Sequence, residues 1–166
     1  VDYRFSKPFG DAEVICSFHS FEETPQNLEN LMGKICNSYG SVAKMATMVR
    51  SWEDNRRLLS LLEKPWDKTI IVVGMGEIGQ ITRIVGPLRG SALTYASCGA
   101  SSAPGQLSVH ELKQIYKLER LSVDTRFIGI LGQPVQHSRS PELHNCGFEA
   151  LDINYVYLKF PAADLT

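Results

Sequence analysis

Short apolar runs alternate with helical stripes along most of this chain, and that alternation constrains the fold more than any other feature. Val14 to Phe18 reads as a buried strand that ends at His19. Thr24-Pro25 then opens a helix, Thr as its cap and Pro at the first helical position. Leu28, Leu31, Met32 and Ile35 come next at helical spacing and form one apolar stripe. Val42 to Thr47 is the next strand, and Ser51 with Asp54 makes a capping pair for a Leu-rich helix that runs to Leu62. Thr69 to Val73 is a third strand, followed by a short helix marked by Ile78, Ile81 and Val85 and ended by Gly86-Pro87. Ser91 to Ala96 is a fourth strand, and Ser108 with Glu111 caps a helix carrying Leu112, Ile115 and Leu118. Strands joined through helices by short connections must lie parallel, so the class is α/β. Asp2 to Phe5 is a candidate for one further strand.

The pattern changes at Leu121 to Thr125, a polar stretch without apolar period that reads as a linker. Beyond it Phe127 to Gly132 forms a new buried strand. Ser140-Pro141 opens a helix with Leu143, Phe148 and Leu151 inward, and Asn154 to Phe160 is a strand. Residues 1–121 supply four or five strand–helix units, whereas a closed (β/α) barrel needs eight and about 250 residues. Residues 126–166 supply a single β-α-β unit.

Charge narrows the function classes. Seventeen Lys and Arg against eighteen Asp and Glu leave a net charge of -1, which argues against a dedicated nucleic-acid or anionic-membrane surface. A local cationic pocket for a small acid remains open. Cys16, Cys36, Cys98 and Cys146 have neither CxxC nor zinc-finger spacing, so no metal site is expected. They read as buried or half-buried free thiols of a reducing compartment such as the cytoplasm. No apolar run reaches membrane-span length. The first residues, Val1-Asp2-Tyr3-Arg4, show neither an initiator Met nor a signal pattern, so the expectation is an interior piece of a longer protein.

Two constellations can carry chemistry. Gly74-Met75-Gly76-Glu77-Ile78-Gly79 matches the dinucleotide fingerprint, after a strand and before a helix. No acidic residue lies downstream at the distance a ribose ligand requires, however. The alternative is that these glycines make a tight strand-to-helix turn. The second constellation is His19 at one strand end and Lys44 in the next strand. Alternation puts Ser17 and His19 on one face, and Val42, Lys44 and Ala46 on one face of the neighbouring strand. A lysine flanked by Val, Ala and Met has its pKa depressed by burial, which yields the neutral amine that attacks a ketone. An adjacent histidine can move a proton near neutral pH. The ordinary alternatives are a strand-end lysine reaching solvent and a satisfied core imidazole. Arg83 after the third strand can grip a carboxylate, and Ser102 and Gln106 in a small-residue loop can donate hydrogen bonds.

The segments Val14 to Phe21 with Thr24-Pro25, Val42 to Ala46, Gly79 to Arg83, Gly90 to Tyr95 and Ser102 to Gln106, in that order, resemble type I 3-dehydroquinate dehydratases. The resemblance implies the C-terminal part of a (β/α) TIM-type barrel over residues 1–121, with Lys44 as the Schiff-base lysine and His19 as general acid/base. It implies substrate contacts at Arg83, Ser102 and Gln106 and no cofactor. A second resemblance, carried by Ile130 to Pro141, His144-Asn145 and Asn154 to Tyr157, is to the opening of shikimate dehydrogenases. There Ser138 and Ser140 correspond to hydroxyls that hold the substrate carboxylate, and the first β-α-β unit of the substrate domain would occupy 126–166 after a linker at 122–125. The NADP-binding part expected of that family would lie beyond Thr166. The whole implies a shikimate-pathway enzyme acting on small molecules (3-dehydroquinate, then 3-dehydroshikimate and shikimate), with neither nucleic acid nor membrane as partner. Two other readings stay open: a Rossmann-type nucleotide-binding oxidoreductase built on Gly74 to Gly79, and a catalytically inactive fragment.

Overall fold

The computed structural model describes residues 1–5 and 11–162. It is an α/β structure with two parallel sheets, one of three strands and one of two. By density of internal contact the chain divides into two units, Val1–Thr94 and Tyr95–Thr166. The division falls upstream of the polar stretch at 121–125.

The first unit is built on β1 (Ile15–Ser20), β2 (Val42–Met48) and β3 (Thr69–Met75) in that spatial order. Register pairs Ser17 with Lys44 and Lys44 with Ile71, and likewise His19 with Ala46 and Ala46 with Val73. Successive side chains alternate between faces, so one face carries Cys16, Ala43, Met45, Ile70 and Val72. These pack with Leu28, Met32 and Ile35 of α1 (Leu28–Cys36) and Leu58 of α2 (Trp52–Ser60) into the unit's core. The opposite face carries His19 and Lys44. The weak candidate strand at the N-terminus is a parallel bridge between Asp2 and Ser17 at the outer edge of β1.

Local chemistry sets the element ends. Ser51 and Asp54 form the expected capping box of α2. Thr24, by contrast, does not cap α1. The helix starts three residues beyond Pro25, with Asn27 as its N-cap, because the Thr24 hydroxyl is engaged with Thr47 and Met48 of β2. The fourth strand, Ser91 to Ala96, does not form. The amide of Val72 donates to Ser91 Oγ at 3.2 Å and that of Gly74 to Thr82 Oγ1 at 2.7 Å, while Ala92 N donates to Ile70 O at 3.0 Å. Side-chain hydroxyls thus occupy the edge positions of β3 that a neighbouring ladder would need. The short helix after β3 is a 3-10 turn, Ile78–Ile81, running into α3 (Thr82–Leu88), which includes Pro87 rather than stopping before it.

In the second unit Ser108 and Glu111 cap as expected: Ser108 N donates to Glu111 Oε2 at 2.7 Å and Glu111 N to Ser108 Oγ at 3.1 Å. The helix they start is short and takes the form of a π-helical turn at Glu111–Ile115. The polar stretch read as a linker is a hydrogen-bonded turn. Thr125 Oγ1 donates to Asn154 Oδ1 at 2.7 Å and accepts from Ser122 N at 2.8 Å. β4 (Arg126–Gly132) pairs in parallel with β5 (Tyr155–Pro161), and α4 (Ser140–Ala150) connects them. Three expectations fail here. β4 is not buried, since Phe127, Ile128 and Leu131 are exposed; among the described residues only β5 pairs with it. Leu143 and Leu151 point outward rather than inward. The buried residues of α4 are Pro141 and Asn145, and Asn145 brackets β5 by accepting from Tyr157 N at 2.6 Å and donating to Tyr157 O at 3.1 Å. His144 adds a ring stack on Tyr157 at 4.4 Å. Finally, Cys98 and Cys146 are exposed, whereas Cys16 is buried and Cys36 half-buried. Among the described residues no helix is long and apolar enough to cross a membrane.

Candidate active site

The parallel register that builds the first sheet also assembles its chemistry. His19 sits one residue before the end of β1, and Lys44 lies in β2 on the same face. Ala43 and Met45, on either side of Lys44, are fully buried on the opposite face and fix the strand. Lys44 itself is half-buried. Its pKa is lowered from the ordinary lysine value, first by burial and then by the Arg83 guanidinium. His19 is lowered too, first by burial and then by the charge of Lys44, so its neutral form persists below the usual histidine range. Its ring lies parallel to that of Phe21, centroids 6.2 Å apart and planes 12° apart.

Arg83 reaches the same place from α3. It is 2% exposed, and burial lowers its pKa; a guanidinium remains protonated even so. The turn before it explains its position. Thr82 Oγ1 accepts from Gly74 N at 2.7 Å and donates to Gly79 O at 2.8 Å, closing the strand-to-helix turn on itself. A Cβ on Gly79 would lie 2.6 Å from the carbonyl carbon of Gly74, and Gly76 has φ +81°. The glycines of the dinucleotide-like fingerprint are therefore needed for backbone contact within the turn. The Gly74 amide is engaged by Thr82, and the next element is a four-residue 3-10 turn, not a long helix offering free amides. This arrangement does not fit a pyrophosphate.

His19, Lys44 and Arg83 thus form a chain of interacting bases: Arg83 acts on Lys44, and Lys44 on His19. Such a group attracts a small anion and supplies an amine that is more often neutral than a surface lysine. The other candidates belong to the second unit. Ser102 donates from both N and Oγ to Gln106 Oε1, at 2.9 and 3.0 Å, so the loop's two expected ligands hold each other. Ser138 and Ser140 also pair. Ser138 Oγ donates to Ser140 Oγ at 3.1 Å, and Ser140 N donates to Ser138 Oγ at 3.3 Å. Ser140 is the first residue of α4 and Arg139 its N-cap, so the serines flank the helix start rather than cap it.

Comparison with known proteins places the chain in a family. Residues 4–122 match the family described as type I 3-dehydroquinase. The chain belongs to that family. Residues 130–165 match the shikimate dehydrogenase substrate binding domain. A bifunctional 3-dehydroquinate dehydratase/shikimate dehydrogenase of Arabidopsis thaliana, a chloroplastic protein, is 36% identical over 153 residues, which are 90% of this chain and 25% of that protein. A 3-dehydroquinate dehydratase of Methanococcus maripaludis is 43% identical over 121 residues, covering 71% of this chain and 54% of its own. The crystal structure of 3-dehydroquinate dehydratase from Geobacillus kaustophilus superposes with a TM-score of 0.57 at 35% identity, over 61% of this chain and 41% of that one. This chain therefore spans about a quarter of the first of these relatives and about half of the second.

Alternation placed Ser17 with His19 and Val42 with Lys44 and Ala46; the parallel register of β1 and β2 then brings His19 and Lys44 to one face. Sequence reasoning missed the buried hydroxyls of Thr24, Thr47 and Thr82 and the amide of Asn145, which hold the site-bearing segments. Their only signal was a polar residue at a position that local pattern assigned to a cap or a core.

Proposed function

We propose that this chain carries the imine-forming part of a 3-dehydroquinate dehydratase and the first segment of a shikimate dehydrogenase. The observation that supports this most is the pairing of a half-buried, pKa-lowered Lys44 with His19 on one sheet face, with Arg83 acting on the lysine. Residues 1–121 are then the C-terminal part of a (β/α) barrel, 122–125 the junction, and 126–166 the start of the substrate domain of the dehydrogenase.

The neutral Lys44 amine attacks the ring ketone of 3-dehydroquinate, and loss of water with uptake of one proton from solvent gives a protonated imine. That imine draws electrons from the adjacent carbon and makes its C–H acidic. His19 removes the proton, the resulting enamine expels the neighbouring ring hydroxyl, and the proton on His19 leaves with it as water. A second water hydrolyses the imine, freeing Lys44 and releasing 3-dehydroshikimate. Arg83 holds the ring carboxylate, and the family resemblance makes Ser102 and Gln106 further substrate-binding residues. No cofactor enters this sequence. In the dehydrogenase, Ser138 and Ser140 hold the carboxylate of 3-dehydroshikimate or shikimate, and NADPH bound by the rest of that enzyme would supply the hydride. The Gly74 to Gly79 turn does not fit that cofactor, so no step here passes through it. The reading carries a location with it: cytoplasm, or an organelle as for the chloroplastic relative.

Borohydride tests the proposal. In the full chain with 3-dehydroquinate or 3-dehydroshikimate, reduction should fix the ligand on Lys44 as a secondary amine. Lys44→Ala and Lys44→Arg should abolish both adduct and dehydration, since a guanidinium stays protonated. An adduct on another lysine, with Lys44→Ala still active, refutes it.

A further inference from the structure

The loop after His19 is fastened to the segment after Lys44. Thr24, 5% exposed, and Thr47, fully buried, bring their hydroxyl oxygens to 2.9 Å. Thr24 Oγ1 also lies 2.8 Å from the carbonyl of Met48, which can only accept. The single proton of Thr24 therefore goes to Met48 O, and Thr47 must donate to Thr24. The result is a directional chain, Thr47 to Thr24 to Met48, buried at its Thr47–Thr24 link. Two arginines act on the same loop: Arg50 Nε donates to Glu22 O at 3.1 Å, and Arg57 donates to Pro25 O. Asp54 of the α2 capping box in turn accepts from Arg57 at 3.2 Å and from Arg50 N at 3.0 Å.

This matters because the ladder alone does not hold His19. The pairing of β1 with β2 ends at Ser20, one residue beyond it. The imidazole is exposed, and the ring beside it, Phe21, belongs to the fastened loop. Lys44 needs no such help, since it lies three residues inside the register that Thr47 extends. We infer that Thr24 and Thr47 are positioning residues: through the loop Phe21 to Pro25 they hold His19 at the distance and angle from the Lys44 imine at which proton transfer occurs. This rests on the dehydratase reading and assigns it two residues that touch neither substrate nor reacting atoms. The expected loss lies in the proton-transfer step and not in imine formation, because the hydroxyls bear on the loop beyond His19, while Lys44 is fixed by strands on both sides.

The experiment counts competent sites and rates separately, in the full chain. Borohydride adduct on Lys44, quantified by mass spectrometry, gives the fraction of sites that form the imine; the dehydration rate is then divided by that fraction. Thr24→Val should keep the adduct yield and KM near wild type while kcat per trapped site falls about tenfold to a hundredfold, the usual result of misplacing a reacting group by about an ångström. Thr24→Ser, which restores the hydroxyl, should recover most of that loss. Thr47→Val leaves the bond from Thr24 to Met48 intact and should lose less than Thr24→Val; it decides the matter if Thr24→Val does not fold. A merely structural role would lower adduct yield and rate together and leave kcat per site unchanged, which overturns the inference. So does a Thr24→Ser variant no better than Thr24→Val. No adduct in the wild-type chain would remove the dehydratase reading and the inference together, whereas a normal wild-type adduct with unchanged variants removes only the inference.

Discussion

Asn145 offers the sharpest test of how the second unit is held together. Its side-chain amide meets both backbone groups of Tyr157, accepting from N at 2.6 Å and donating to O at 3.1 Å. It thereby closes the edge of β5 that β4 does not pair. Asn145 is 3% exposed, and Asn145→Leu keeps a side chain of similar reach while removing both partners. Each backbone group left unsatisfied costs about 1–3 kcal/mol when buried. Tyr157 is only half-buried, so water reaches part of this edge and the sum is about 2–4 kcal/mol. Native-state hydrogen exchange reads this directly. At about 1.4 kcal/mol per tenfold, protection of the Tyr157 amide should fall about thirtyfold or more. Amides of β1 to β3 belong to the other unit and should keep their protection. Asn145→Asp retains an acceptor for Tyr157 N but sets a carboxylate against Tyr157 O, so its deficit should shrink as acid protonates the new side chain. Protection of Tyr157 in Asn145→Leu within about threefold of wild type would refute the reasoning, because the edge would then be satisfied some other way.

Three further outcomes are expected. Arg83→Gln removes the second cause that lowers the Lys44 pKa and leaves burial, the first, in place; the pKa rises part of the way toward the ordinary value, so the acidic limb of kcat/KM moves to higher pH, and an unmoved limb or a shift to lower pH contradicts the coupling. Gly79→Ala sets a Cβ 2.6 Å from the Gly74 backbone and should destabilise the first unit by about 1–3 kcal/mol in urea titration. NADPH affinity of the full chain should be unchanged in that variant; a loss would restore the nucleotide reading of the fingerprint. Ser138→Ala should raise the KM for shikimate and leave dehydration alone, and an unchanged KM would count against a binding role for Ser138.

Much of the first unit was legible because its strands are short apolar runs bounded by turn residues, most clearly the β-branched Thr69 to Val73 before Gly74. Period two put Ser17 with His19 on β1 and Lys44 with Ala46 on β2, and the register between the strands decided that these share a face. What failed depended on partners distant in sequence. Ser91 to Ala96 has strand composition, yet the Ser91 hydroxyl takes the Val72 amide that a strand would meet with a carbonyl. Thr24 before Pro25 has every local mark of a cap, but a hydroxyl across the sheet outcompetes the helix end. In α4 the apolar stripe misled for a related reason. That helix docks through Asn145 and the His144 ring, so Leu143 and Leu151 were free to face outward. The fingerprint at Gly74 to Gly79 was legible only as glycine demand. Deciding between a phosphate cradle and a self-packed turn required knowing where the Gly74 amide goes.

The order of causes at Lys44 bears on why the proposed chemistry would survive substrate binding. A lysine kept neutral mainly by a neighbouring cation would regain its proton when an anionic substrate neutralised that cation. Here burial is the larger cause and Arg83 the smaller. A carboxylate paired with Arg83 therefore cancels the minor contribution and leaves the major one standing, and by excluding water it deepens the burial. The downward push on the Lys44 pKa therefore outlasts substrate binding in the proposed reaction. In the proposed imine the nitrogen is cationic, and it bears on His19 as a protonated Lys44 would, holding its pKa down. The histidine then meets the acidified C–H in its neutral form. The burial that does this is supplied by residues with no chemistry of their own. Ala43, Met45, Ile70 and Val72 fix the sheet against α1 and α2 on one face, so that Lys44 is carried half-buried on the other.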